Sequence, residues 1–257
     1  MKIYIISARR PQRQITAKQF KPSSKHTIFT VVPESDQHDY LQHQATENYI
    51  FHHKQGIRDT RQFVMDDYTH GNKFCQLDDD LTFYKRLEAG NFVKATPDDV
   101  ELMFDEIETK LDSYAHVGVV DKFMSHLQPR DFISNARYNQ VLAYNTKLFP
   151  VPHPKFRVAL GEEQDFNLQL LSQGRESCIL TEWSKSTTNY AEGGCAQWRT
   201  AEIELAAHKE MVDLWPGIVT LRDNKNTISK TSLSIAWRKA YVPNPGIHPF
   251  KVTSIPA

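Results

Sequence analysis

Residues Phe74 to Arg86 read FCQLDDDLTFYKR. An apolar run from Phe74 to Leu77, broken only by Gln76, leads directly into Asp78, Asp79 and Asp80, and Leu81, Thr82 and Phe83 then resume a strand-like pattern. Three adjacent carboxylates repel one another, and desolvating any of them is costly unless a cation or hydrogen-bond donors compensate. A hard divalent ion such as Mg²⁺ or Mn²⁺, held by one or two carboxylates together with the oxygens of a diphosphate, is the usual compensation. In extended geometry alternate side chains share a face, so Asp78 and Asp80 are expected to reach one ion while Asp79 points away. A solvated acidic turn is the plainer reading of three aspartates. This triplet, however, ends an apolar strand, where α/β proteins place their ligands, and the metal reading is the one carried forward.

Upstream, KIYIIS (residues 2–7) reads as a buried first strand that ends in a loop rich in Arg9, Arg10 and Arg13. HTIFTVV (26–32) is a second strand ending at Pro33 and Glu34; a helix is expected over about 36–46, a short strand at YIFH (49–52) and a helix in QGIRDTRQFVMDDY (55–68). Strands alternating with helices are the pattern of a mostly parallel sheet. Downstream, Thr96 can cap a helix that has Pro97 at its first position, with Val100, Met103, Phe104, Ile107 and Leu111 on one face. YAHVGVV (114–120), QVLAY (140–144) and the stretch 179–183 read as strands, residues 201–214 as a helix, and PRDFISNARY (129–138) as an exposed loop.

A second concentration of chemistry is LGEEQDFNLQLLSQG (160–174), where Glu162, Glu163 and Asp165 crowd the first turn of a helix closed by Gly174. Acids favour helix N-termini for electrostatic reasons alone, but three in four residues exceed what a cap requires. TTNYAEGGCAQWR (187–199) carries Gly193 and Gly194 and suits a loop that closes over a substrate. The chain has equal numbers of acidic and basic residues, yet residues 1–30 hold seven Lys/Arg and no acid, and residues 217–257 hold six Lys/Arg against Asp223 alone. Basic ends around an acidic centre suit one surface for polyanions and another for a cation. No apolar run reaches membrane length, MKIYIISARR is too short in apolar residues for a signal peptide, and the three cysteines lack CxxC spacing. A cytoplasmic protein without membrane partners is expected.

The order of a first strand, a second strand ending VVPES, Gly56-x4-Arg61, a strand ending DDD and the GEEQDF helix start resembles the GT-A fold glycosyltransferases. Within them, GIRDTRQFVMDDY, LDDDLTF, GEEQDF and the late Gly-Gly loop are similar to the TET-associated and phage DNA-modifying glycosyltransferases. The resemblance implies a Rossmann-like, mostly parallel α/β sheet flanked by helices, with a glycosyltransferase domain over 1–216 and a basic extension over 217–257 packed on it. It implies Asp78 and Asp80 as ligands of Mn²⁺ or Mg²⁺ and Asp79 as a contact to ribose or sugar. Ser7, Arg9, Pro33, Glu34 and Arg61 fall where such enzymes bind a nucleotide sugar, a UDP-sugar in the usual case. Glu163 matches the second acid of their acceptor motif, although Asp is common there, so Glu162, Glu163 and Asp165 compete for one role.

The function this implies is metal-dependent transfer of a sugar to a hydroxymethylated pyrimidine in DNA. The alternatives are a transferase of the same fold acting on a glycan, lipid or small molecule, and an inactive nucleic-acid-binding module. The intact carboxylates argue against the last. A nucleotidyltransferase would be expected to carry a Gly-rich loop after the first strand, and SARRPQR has no glycine.

Overall fold

Alternate residues of β1 (Lys2–Ile6) enter two different cores: Ile3 and Ile5 join one apolar cluster, Tyr4 and Ile6 another. A strand covered on both faces reads as an unbroken apolar run, which KIYII does after its lysine. The computed structural model describes residues 1–43, 48–69, 71–88, 90–124, 132–187 and 199–243. After β1 come β2 (Thr27–Pro33), α1 (Gln37–His43), β3 (Tyr49–His52), α2 (Gly56–Tyr68), β4 (Lys73–Asp78), β5 (Leu81–Arg86) and β6 (Phe92–Lys94). They are followed by α3 (Pro97–Lys110), β7 (His116–Asp121), β8 (Phe132–Ile133), β9 (Val141–Asn145), α4 (Glu162–Ser172) and β10 (Ser177–Thr187). The chain continues through α5 (Ala201–Leu214), β11 (Val219–Asp223), β12 (Thr231–Ile235) and α6 (Trp237–Ala240). Gly193, Gly194, Tyr190 and Trp198 lie outside the described residues, and with them the expected closing loop.

The main sheet has the order β3-β2-β1-β4-β9-β7-β10-β5-β6, with β8 paired to β10. From β3 to β10 only β9 runs against its neighbours, which is the mostly parallel α/β sheet expected. Beyond β10 the edge turns antiparallel through β5 and β6. α3 covers one face with Val100, Met103, Phe104 and Ile107, and α2 and α4 cover the other with Val64, Met65, Phe166 and Leu170. Helix α3 starts as its sequence predicts: Thr96 and Asp99 form a reciprocal capping box with Pro97 at the first position.

The step from β4 to β5 shapes the sheet. Asp78 and Leu81 are three residues apart and so at most roughly 11 Å. Yet β9, β7 and β10 stand between β4 and β5 in the hydrogen-bonded order. The sheet must therefore curl to bring its antiparallel edge back to the end of β4, and β10 carries a register irregularity between Leu180 and Ser184. The strand also ends at Asp78, with Asp79 and Asp80 forming the turn. Strand alternation consequently does not govern the whole triplet, contrary to expectation.

Two further expectations are corrected or extended. The stretch 129–138 is no exposed loop where it is described: Phe132–Ile133 pairs with β10, and Tyr138 is buried with its hydroxyl bonded to His116 Nδ1 (2.7 Å) and Asn167 Oδ1 (2.8 Å). Residues 217–243 form the β11-β12 hairpin and α6, whose Val219 and Ala240 pack with Leu168 and Leu171 of α4 and Met211 of α5.

Gly118 on β7 makes room for the Tyr138 ring, because a Cβ there would lie 2.1 Å from Tyr138 Cδ2. The ring is pinned by its hydroxyl and cannot swing away. Gly118→Ala is expected to destabilise the protein by about 2 kcal/mol or more, as overpacking does. Urea unfolding checks this; an unchanged midpoint would mean that the ring can shift.

Candidate active site

Parallel strands β1, β2 and β4 deliver their C-terminal ends side by side, and the pairing of Ile6 with Asp78 sets Ser7 beside Asp79. Ser7 Oγ donates to Asp79 Oδ2, contacts Tyr40 Oη at 2.6 Å and accepts from Gln14 Nε2 at 3.0 Å. Arg10 Nη1 bridges Asp79 Oδ1 (3.0 Å) and Asp80 Oδ2 (3.3 Å). Thr16 braces the backbone of the turn: its hydroxyl donates to Asp78 O (2.6 Å) and accepts from Leu81 N (2.9 Å), and its own N–H donates to Asp79 O (3.0 Å). Burial, with Asp80 and Asp78 adding repulsion, raises Asp79 to about 6 against the pull of Ser7 and Arg10. Asp80 is likewise raised, first by burial and then by Asp78.

Arg61 is the buried link between this turn and α4. Its side chain is 1 % exposed, and Nη2 reaches Asp78 Oδ1 at 2.6 Å while Nε reaches Glu162 Oε1 at 3.1 Å. Nη2 also lies 3.8 Å from Glu163 Oε2, and Nη1 has no hydrogen-bond partner among the described residues. Burial opposes the charge, but Asp78, Glu162 and Glu163 hold it, and the guanidinium stays above its ordinary pKa. Glu163 Oε2 accepts from Gln140 N at 2.9 Å. Burial first, then the adjacent Glu162, raise Glu163 to about 7. Glu162 is raised as well, by burial and by Asp78, with Arg61 opposing.

The remaining predicted residues separate from this centre. Asp165 is fully buried and its oxygens are occupied by Arg157 (Nε 2.9 Å, Nη2 2.6 Å), Gln169 (2.9 Å) and Trp215 Nε1 (2.8 Å), so it ties α4 to the segment after α5. Arg9 is exposed with its N–H bonded to Asp36 (2.7 Å), and Glu34 at the end of β2, after Pro33, pairs with His53 at 2.6 Å. Sequence reasoning missed Arg10, Gln14, Thr16 and Tyr40 around the triplet. It also missed buried Lys185 of β10, whose Nζ reaches Asp121, Asn139 (2.6 Å) and Gln140. Arg10 lay within the noted arginine-rich loop; the others carried no signal.

A family model described as TET-Associated Glycosyltransferase matches residues 1–194. The chain belongs to the TET-associated glycosyltransferase family. It is thus a glycosyltransferase, with a nucleotide-sugar donor and an acceptor. Among solved structures it is similar to a chain from Bacillus anthracis described as a putative glucose-1-phosphate thymidylyltransferase in complex with sucrose. The two are 15% identical, the match covers 71% of this chain and 88% of that one, and the TM-score is 0.37. At that similarity it bears on neither substrate nor site. No protein with a curated description matches. No helix among the described residues is long and apolar enough to cross a membrane.

The raised Glu163 carboxyl sets a pH dependence in this glycosyltransferase. The native state keeps its proton to about pH 7, whereas the unfolded chain releases it near the ordinary value of 4.5. The native state binds more protons between those limits, so Glu163 lowers stability as pH rises through that window. Glu163→Gln removes the titration. Its Tm is expected to exceed that of the parent protein at pH 8 and to approach it near pH 4.5. An equal difference at both pH values would show that Glu163 is not raised.

Proposed function

We propose that this glycosyltransferase is metal-dependent, with Asp78 and Asp80 as protein ligands of Mg²⁺ or Mn²⁺ and Glu163 as the base that serves the acceptor hydroxyl. The observation that carries the reading is the Arg61 bridge. It sets a carboxyl raised to about 7 within 3.8 Å of a guanidinium that also holds the acidic turn. The donor set suits a hard cation, since Asp78, Asp79, Asp80, Glu162 and Glu163 face only Arg10 and Arg61 in these ion pairs. Among the described residues, the triplet does not bring three ligand atoms within 4.8 Å of one another; His26, Asp105 and Glu108 do. Two carboxylates completed by donor phosphates is the arrangement that fits.

Bound there, the ion would supply Lewis-acid neutralisation of the departing diphosphate. Asp79, fixed by Ser7 and Arg10, keeps the turn in shape beside the ribose or sugar, and Arg10 offers a guanidinium to the phosphates. In a single displacement with inversion, the acceptor oxygen bonds to the sugar carbon and the nucleoside diphosphate leaves with the electron pair. The hydroxyl proton passes to Glu163, whose oxygen is oriented by Gln140 N–H. A pKa near the working pH suits that transfer. Under retention Glu163 would bind the acceptor without taking its proton.

The acceptor proposed is a hydroxymethylated pyrimidine in DNA, and the donor a UDP-sugar. Support comes from the family and from a hollow of about 340 Å³ lined by Asn135, Ala136, Arg137, Trp237, Arg238 and Lys239. Its basic and aromatic groups suit phosphates and bases, and the 135–140 segment leads to the Gln140–Glu163 contact. A glycan or small-molecule acceptor is the second reading. It is favoured by ion pairs that engage Lys21 with Asp98 and Lys25 with Asp105, which leave less N-terminal charge for a polyanion.

Asp80→Asn is expected to abolish Mn²⁺-dependent binding of the nucleotide sugar in a folded protein, read by calorimetry. Glu163→Gln should keep donor binding and lose roughly 10²-fold or more in turnover. Wild-type binding to DNA should fall steeply with salt, on the order of 10³-fold for six phosphate contacts between 50 and 200 mM. Labelled donors offered with hydroxymethylcytosine, hydroxymethyluracil and unmodified DNA decide the acceptor: label should enter modified DNA alone. Label entering only a free sugar or lipid establishes the second reading.

A further inference from the structure

The starts of β1 and β2 lie at the end of the sheet opposite the acidic turn, and His26 immediately precedes β2. Its side chain is fully buried, with Nε2 3.4 Å from Asp105 Oδ1 and 3.8 Å from Glu101 Oε1. Nδ1 lies 3.2 Å from the Met1 amino nitrogen and 3.7 Å from Glu108 Oε2. Despite these neighbours Nε2 makes no hydrogen bond among the described residues, and neither does the buried Oε2 of Glu101. Glu101, Asp105 and Glu108 stand at i, i+4 and i+7 of α3, a spacing that puts all three on one face.

We propose that His26, Asp105 and Glu108 form a second metal site of this protein, structural in role, for Zn²⁺. One ligand atom from each of His26, Asp105 and Glu108 lies within 4.8 Å of the other two. Ligands about 2.1 Å from a tetrahedral ion lie roughly 3.4 Å from one another, so the His26–Asp105 spacing needs little change. One imidazole among carboxylates is a mixed N/O set that zinc accepts and that an all-oxygen site for Mg²⁺ does not resemble.

The present partners leave room for the ion. Asp105 also pairs with Lys25, which is 61% exposed, and Glu108 with the Met1 ammonium at 3.0 Å. Two ammonium groups against three carboxylates leave a negative charge at a buried ring. Burial and the Met1 ammonium pull the His26 pKa down, so the imidazole is neutral near pH 7 and able to ligate. The ion would join the start of β2 to α3, a full strand length from the acidic turn.

The test uses full-length protein tagged only at its C-terminus, stripped with chelator and then given Zn²⁺. One zinc per chain should survive desalting, and the Tm should rise by roughly 5–10 °C at a hundredfold excess over Kd. His26→Asn and Asp105→Asn should lose both effects, while Asp80→Asn keeps them, which separates this site from the proposed catalytic one. Should His26→Asn fail to fold, Asp105→Asn decides, its side chain being 30% exposed and so tolerant of change. No zinc retained by the wild type would overturn the proposal. So would zinc kept by Asp105→Asn and lost by Asp80→Asn, which would put the ion at the acidic turn.

Discussion

Arg61 sits in the middle of α2, buried, and holds one carboxylate from β4 and two from the start of α4. Removing a buried partner of this kind strands the others and costs about 3–5 kcal/mol. The same contact fixes α2, β4 and α4 relative to one another, with Gln76 Nε2 of β4 donating to Arg61 O at 3.1 Å as a backbone tie beneath it. One guanidinium is too little charge for three acids in a dry site, and burial first, then the adjacent Glu162, raise the Glu163 carboxyl. A site short of positive charge is a liability for folding and an asset for binding a cation. Proteins commonly accept such a trade at functional sites.

The acidic turn is held in an equally indirect way. Two residues carry the chain from a central strand to the antiparallel edge, and the sheet has to curl for that step to close. Thr16, from the segment between β1 and β2, donates to the backbone carbonyls of Asp78 and Asp79, and Gln14 from the same segment donates to Ser7 Oγ, which in turn donates to Asp79. Arg10 then bridges the two carboxylates that the turn forces together. Fold and site are thus one problem: the turn that positions the acids is also the hinge of the sheet's topology.

The two ends of the parallel strands differ in kind. At the C-terminal ends the carboxylates outnumber their guanidinium partners. At the N-terminal ends, His26, Lys21 and Lys25 meet the acidic side chains of α3, so part of the basic N-terminal stretch is engaged in ion pairs within the chain. The hollow lined by Arg137, Trp237, Arg238 and Lys239 draws instead on the segment before β9 and on α6, far apart in the chain.

The sequence by itself determined the elements and the chemistry at their ends. Two-sided burial makes β1 and β4 near-continuous apolar runs, Thr96-Pro97 announces α3, and Gly161 at φ 80° and Gly174 at φ 76° bound α4. Each of these signals is local, set by backbone geometry or by alternation within a few residues. The carboxylates of the acidic turn and of GEEQDF were legible for the same reason, since clustered charge is costly wherever it folds. Only the tertiary structure decided which acid does what. Asp165 and Glu163 are two residues apart on one helix, yet one is enclosed by Arg157, Gln169 and Trp215 while the other faces Arg61 and Gln140. Those partners lie between 4 and about 100 residues away, and no periodicity encodes such pairings. Tyr138 was misread as exposed for the same reason: its pocket is the missing side chain of Gly118, twenty residues upstream on β7.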